Sequence, residues 1–327
     1  MQASAPENQN ALRETTPPTA RINIVMRSQR PFEQACCAHA YGCDFVVVQF
    51  DPPEATGSEP SPGPPMERAG DTLYLTIWGW RLRRFLDPAL WFPRDQAAAR
   101  WTKLEGGTGS VFRVRVEHDG DALDLVVKFS RMGQDVPLYL ADHFAHNPEL
   151  LELARSADFN NPFEEFGHLE GLRRHHARPH PMLTKRALAI YSPREQFPLW
   201  KLGRDSARID AIQAQLDRDQ DLSRGATRIV VDARRDYVEV FQWVHGIDAE
   251  EAYRHGLVTR AEVDALSDEI ESNLRTAGYR VFDNKPRHYI LRQRPDGQLL
   301  RWPDGRIVWA LIDFELLQPL GPTPRAR

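Results

Sequence analysis

Short apolar runs punctuated by turn residues alternate along this chain with stretches of helical spacing. Ile22 to Met26, Phe45 to Phe50 and Leu73 to Trp80 are rich in β-formers and read as strands. Val111 to Val116 alternates Val-x-Val-x-Val. The turn His118-Asp119-Gly120-Asp121 and the apolar run Leu123 to Phe129 follow, which is a hairpin signal. Between Pro162 and Arg174, Phe163, Phe166, Leu169 and Leu172 mark one face of a helix. Ala187 to Tyr191 reads as a strand, Ser206 to Asp219 as a polar helix and Tyr237 to Val244 as a fully buried strand. Thr259 and Glu262 form a capping box ahead of the stripe Val263, Leu266, Ile270 and Leu274, and Gly278 ends that helix. Tyr289 to Arg292 and Ile307 to Ile312 are strands, with Pro-Asp-Gly turns at Pro295 and Pro303 between them.

The pattern divides the chain into a polar, disordered stretch at 1–20 and an extension at 21–100 with a proline-rich loop over 51–70. A segment richer in motifs follows from Trp101. The net charge of -4 carries no basic excess, so nucleic-acid binding is unsupported. Arg81, Arg83 and Arg84 read as a solvated face. No apolar run approaches the ~20 residues that span a bilayer. The first residues lack the apolar core of a secretory signal, so a cytoplasmic protein without membrane contact is expected. Cys36, Cys37 and Cys43 are too few for a disulfide framework. With His39 they make four potential zinc ligands, but the spacing lacks paired knuckles and buried thiols are the better reading.

Gly106, Gly107 and Gly109 head the first hairpin, where glycines let peptide N–H groups close on phosphate oxygens; an ordinary turn uses the same residues. Lys128 ends the run Leu125-Val126-Val127, where a lysine must snorkel to water or meet an anion. Glu165, on the next helix, is either its partner or a solvated carboxylate on the helix face. Asp283 and Asp313 stand at strand edges, with Lys285 two residues and His288 five residues after Asp283. Phosphoryl transfer needs this set: a metal held by carboxylates, a cation on the phosphates and a carboxylate to orient the acceptor hydroxyl.

These residues resemble the protein-kinase and kinase-like phosphotransferase superfamily from about Trp101 to Leu317. Leu104 to Phe112 looks like its Gly-rich loop and Val126-Val127-Lys128 like its lysine strand. Phe241-Gln242-Trp243-Val244-His245-Gly246 is similar to its hinge. Asp283-Asn284-Lys285-Pro286 looks like the catalytic loop, and Asp313-Phe314-Glu315 like the Asp-Phe-Gly motif. The resemblance implies an α+β fold: an antiparallel-sheet N-lobe with hinge over 101–248 and a reduced C-lobe over 249–327, behind the β-containing extension. It also implies roles. Gly106, Gly107, Gly109 and Val111 would enclose ATP, and Lys128, paired with Glu165, would hold its phosphates. Gln242 and Val244 would meet adenine, and Asp248 the ribose. Asp283 would orient the acceptor, Lys285 would neutralise the γ-phosphate, and Asp313 would bind Mg²⁺.

Three departures bear on activity. Phe282 stands where the family has arginine. His288 takes the second-metal asparagine position, and imidazole favours Mn²⁺ or Zn²⁺ over Mg²⁺. Glu315 replaces the glycine, and just twelve residues, Leu316 to Arg327, follow it. The expected C-lobe is therefore truncated, with the leading residues, a protein partner or a second copy covering it. Two functions stand side by side: an ATP-dependent phosphotransferase of unknown acceptor, and a nucleotide-binding pseudokinase acting as scaffold or regulator. A contact-only fold is disfavoured because buried charges without a use are costly.

Overall fold

A computed structural model describes residues 35–40, 42–50, 70–92, 101–104, 111–136, 147–155, 157–174, 182–194, 203–221 and 229–320. In chain order the elements are strands β1 (Ala35–Ala40), β2 (Cys43–Phe50) and β3 (Asp71–Leu75), helices α1 (Ile77–Arg81) and α2 (Pro88–Trp91), and strands β4 (Trp101–Lys103), β5 (Val111–His118) and β6 (Asp121–Phe129). Helices α3 (Pro148–Arg155) and α4 (Pro162–Arg174), strands β7 (Leu183–Thr184) and β8 (Arg186–Ser192), helix α5 (Ser206–Asp221) and strand β9 (Val238–Gln242) come next. The chain closes with β10 (Ile247–Asp248), α6 (Ala249–Arg254), α7 (Arg260–Thr276), β11 (Tyr279–Val281), β12 (Tyr289–Leu291), β13 (Trp309–Leu311) and β14 (Leu317–Pro319).

The fold is mixed α+β, built around an eight-stranded sheet in the order β1-β2-β3-β8-β9-β6-β5-β4 with every pairing antiparallel. The hairpin β5–β6 turns at Asp119 and Gly120, both with positive φ (51° and 82°), the backbone a two-residue turn requires. Strands β1 to β3 come from the leading extension and prolong the sheet beyond β8. The expected strand at Ile22 to Met26 and the loop at 51–69 lie outside the described residues.

The expected strand Leu73 to Trp80 stops at Leu75, and a helix begins at Ile77. Thr76 causes the switch: its hydroxyl accepts the Gly79 N–H (3.1 Å) and donates to the Ala187 carbonyl (2.7 Å). The long strand read from Tyr237 to Val244 ends at Gln242. Helix α7 carries the anticipated capping box, and its four stripe residues are buried. Cys43 is a buried free thiol, which burial pushes up to about 12.

Helix α4 lies on one face of the sheet. Its Phe163, Phe166, Leu169 and Leu172 are buried in one cluster with Phe45, Ile190 and Phe241. Each such side chain contributes ~1.5–3 kcal/mol over leaving it wet, so this face anchors the helix firmly. Two smaller sheets complete the fold, β10-β12-β13-β7 and β11-β14. Among the described residues, no helix is long and apolar enough to cross a membrane.

Candidate active site

The β6–β9 ladder sets Lys128 directly across from Glu239, both buried. Anchoring of α4 on the same face brings Glu165 to Lys128: its Oε2 lies 2.7 Å from the Lys128 Nζ. Glu239 Oε2 is 3.4 Å and Glu315 Oε1 3.1 Å from the same nitrogen. Burial would lower the Lys128 pKa, but Glu165, Glu239, Glu315 and Asp313 outweigh it and hold the ammonium charged. Burial works against ionised Glu165 as well, yet Lys128 and Lys185 keep that carboxyl below its usual range. Glu239 goes the other way. Burial, then the Glu165 charge, pushes it up to about 8, so it is protonated at neutral pH. Burial pushes Glu315 up as well, although Lys128 opposes the shift.

The small sheet delivers the rest. Strands β12 and β13 are antiparallel, and β13 and β7 are parallel. His288 just before β12, Asp313 just after β13 and Lys185 just after β7 therefore leave by the same edge. Backbone hydrogen bonds from Ile312 N–H to His288 O (3.1 Å) and from Lys185 N–H to Leu311 O (3.2 Å) lock them there. Pairing of β11 with β14, Val281 opposite Leu317, ties the far ends of the two loops that carry Asp283 and Asp313.

Asp283, His288 and Asp313 come together: one ligand atom from each lies within 4.8 Å of the others. The Asp283 carbonyl takes the hydrogen of His288 Nδ1 (2.9 Å), because a carbonyl can just accept. Nε2 is then the nitrogen turned to Asp313, 3.3 Å from Oδ2. A ring nitrogen left facing a carboxylate while the other donates to a carbonyl is the arrangement of metal-binding histidines. Burial opposes the Asp313 charge, but His288, Lys128 and Lys185 hold its carboxyl well below the usual range. Lys285 Nζ sits 2.7 Å from Asp283 Oδ1.

The structure thus brings together Lys128, Glu165, Asp283, Lys285, His288 and Asp313. Val111 opens β5 opposite Lys128. Gly106, Gly107 and Gly109 lie outside the described residues. Gln242 ends β9, and the Trp243 N–H bonds to Asp124 O (3.0 Å), while the Val244 N–H meets no acceptor among the described residues. Asp248 Oδ1 caps α6 through the Glu251 N–H (2.8 Å), which competes with the ribose role. Glu315 turns to Lys128 and Arg131.

Lys185 and Glu239 went unnoticed in the sequence. Lys185 Nζ holds the second Glu165 oxygen (2.8 Å) and lies 3.6 Å from the Phe241 ring centre. A carboxylate inside Tyr237-Val238-Glu239-Val240-Phe241 was the available signal, since buried strands exclude unpaired charge.

No family model matches this chain, and no curated protein does. Among solved structures it is similar to one described as WaaP in complex with acyl carrier protein. Identity is 16% and the TM-score 0.31, over 73% of this chain and 72% of that one. It is also similar to a crystal structure of Rad53 1-466 in complex with AMP-PNP. There identity is 13% and the TM-score 0.28, over 66% of this chain and 39% of that one.

Proposed function

We propose that this chain is an ATP-dependent phosphotransferase of protein-kinase-like type. The observation that carries the reading is the convergence of the Lys128–Glu165 ion pair with Asp283, His288 and Asp313 from two loops tied at both ends. Lys128 would hold phosphate oxygens, with Glu165 keeping its ammonium in place. Val244, whose N–H meets no acceptor among the described residues, would offer it to a base. Asp283 would accept the hydroxyl proton of the acceptor, and Lys285, at hydrogen-bond distance from it, would offset charge on the transferred group.

The donor set fits a divalent cation. Asp313 Oδ2 and His288 Nε2 face each other, and Asp283 completes three ligands. Such an ion neutralises charge gathering on the phosphates. One imidazole among carboxylates suits Mn²⁺ better than Mg²⁺, which demands oxygen.

One observation favours a second reading, a nucleotide-binding pseudokinase. Lys128 is enclosed by three carboxylates, so a phosphate must displace Glu315 to reach it. Labelled ATP with Mg²⁺ or Mn²⁺ separates the two. Phosphate transfer above an Asp313→Asn control supports the enzyme. Calorimetric ATP binding without turnover supports the pseudokinase, and no binding with either metal removes both.

A further inference from the structure

A cavity of about 400 Å³ lies against the segment Gln242 to His245. Among the described residues, neither Lys128, Glu165, Asp283 nor Asp313 lines it. Its walls come from the end of α4, the Met182–Arg186 stretch, Arg292 and Ala310. The volume falls in the range of small-molecule sites, roughly 300–1,000 Å³.

Its charge is one-sided. Arg173, Arg186 and Arg292 line it, and no described carboxylate does. Arg173 bonds to Thr184 Oγ1 (3.2 Å), and its sole ionic contact among the described residues is a distant 3.8 Å approach to Glu170. Arg186 reaches a neutral amide, Gln242 Oε1, at 3.3 Å. Arg292 has no ion pair among the described residues, and its Nε is shut off from water without a hydrogen-bond partner. Arg173 and Arg186 both stand over the Trp78 ring (5.7 and 4.9 Å), which holds their guanidiniums near each other. A buried guanidinium N–H left unsatisfied is costly, and so is clustered like charge; an anion relieves both.

We propose that this cavity binds a small molecule bearing a phosphoryl group on a compact apolar or planar body. A phosphoryl dianion matches several guanidiniums, whose forked donors fit its oxygens. Met182, Leu183 and Trp243 supply the apolar wall for the body. The cavity is lined by none of Lys128, Glu165, Asp283 and Asp313, and its wall includes Gln242 and Val244, the residues proposed to meet adenine.

Calorimetry with phenyl phosphate as probe, in chelator so that the Asp283–Asp313 cluster holds no metal, tests this. Saturable one-site binding is expected, weakened at least tenfold by Arg292→Gln and by Arg186→Gln and unaltered by Glu315→Gln, which is expected to tighten an anion held at Lys128. Arg186 is exposed, so that variant keeps the test valid if Arg292→Gln fails to fold. Inorganic phosphate should bind more weakly for want of the apolar body. No saturable binding overturns the proposal. So does binding tightened by Glu315→Gln yet intact in Arg186→Gln, which would put the probe beside Lys128 in the nucleotide cleft. Benzoate binding as tightly as phenyl phosphate overturns the phosphoryl assignment.

Discussion

Lys128 and Glu239 stand directly opposite each other on neighbouring strands, both buried, with Nζ 3.4 Å from Oε2. The contact is not a simple ion pair, because Glu165 already neutralises Lys128 at 2.7 Å and Glu239 is left protonated.

That protonation sets a pH dependence. Between about pH 4.5 and 8 the folded protein holds a proton on Glu239 that the unfolded chain has released. Stability then falls as pH rises, with a slope of up to ~1.4 kcal/mol per pH unit, and levels off above 8. Glu239→Gln cannot titrate. Its urea-unfolding free energy should gain on the wild type from pH 5 to 8 and stay parallel above. Curves parallel throughout would contradict the assignment.

Glu165 is held by two lysines, one on each oxygen. Lys128→Met removes the cation held by Glu165 and Glu315 and should cost about 3–5 kcal/mol, with loss of ATP binding. Lys185→Met leaves the 2.7 Å Lys128–Glu165 contact in place. It should destabilise the fold while keeping measurable ATP affinity. Equal loss of binding in both variants would place Lys185 on the nucleotide itself.

Glu315 contacts both Lys128 and Arg131 where phosphates are proposed to sit. Its carboxylate competes with an incoming anion. Glu315→Gln should therefore tighten ATP binding, by an expected fivefold or more (~1 kcal/mol), as read by calorimetry. Weaker binding would mean that Glu315 supports the nucleotide site instead of closing it.

Gly246 has φ 151°, and a Cβ there would lie 2.2 Å from the Leu291 carbonyl oxygen. Gly246→Ala must move β12 away from the segment that leads into β10. A loss of more than about 2 kcal/mol is expected in thermal or urea unfolding. A neutral outcome would show that this segment gives way freely.

Local rules carried the reading wherever the signal was local. The capping box of α7, the Asp119-Gly120 hairpin and the apolar stripe of α4 each depend on residues a few positions apart, and all three formed. The strand at Leu73 overran because Thr76 caps a helix by accepting the Gly79 N–H, while its hydroxyl donates to a carbonyl 111 positions away, at Ala187. Lys128 was legible because a lysine in an apolar strand needs water or an anion, whereas Glu165, on the second helix after that strand, read equally as a solvated carboxylate.

By itself the sequence placed Lys128 at the end of an apolar strand, Glu165 on a helix, and Asp283 and Asp313 at strand edges. Tertiary structure alone decided how those charges are shared. Lys185 joins Glu165 because β7 runs parallel to β13, and Glu239 meets Lys128 because β6 and β9 are neighbours. Glu315 turns to Lys128 and Arg131 within the same cluster. Strand order and register are long-range properties, set by packing of whole faces, so a buried charge announces that it needs a partner without saying which one it will find.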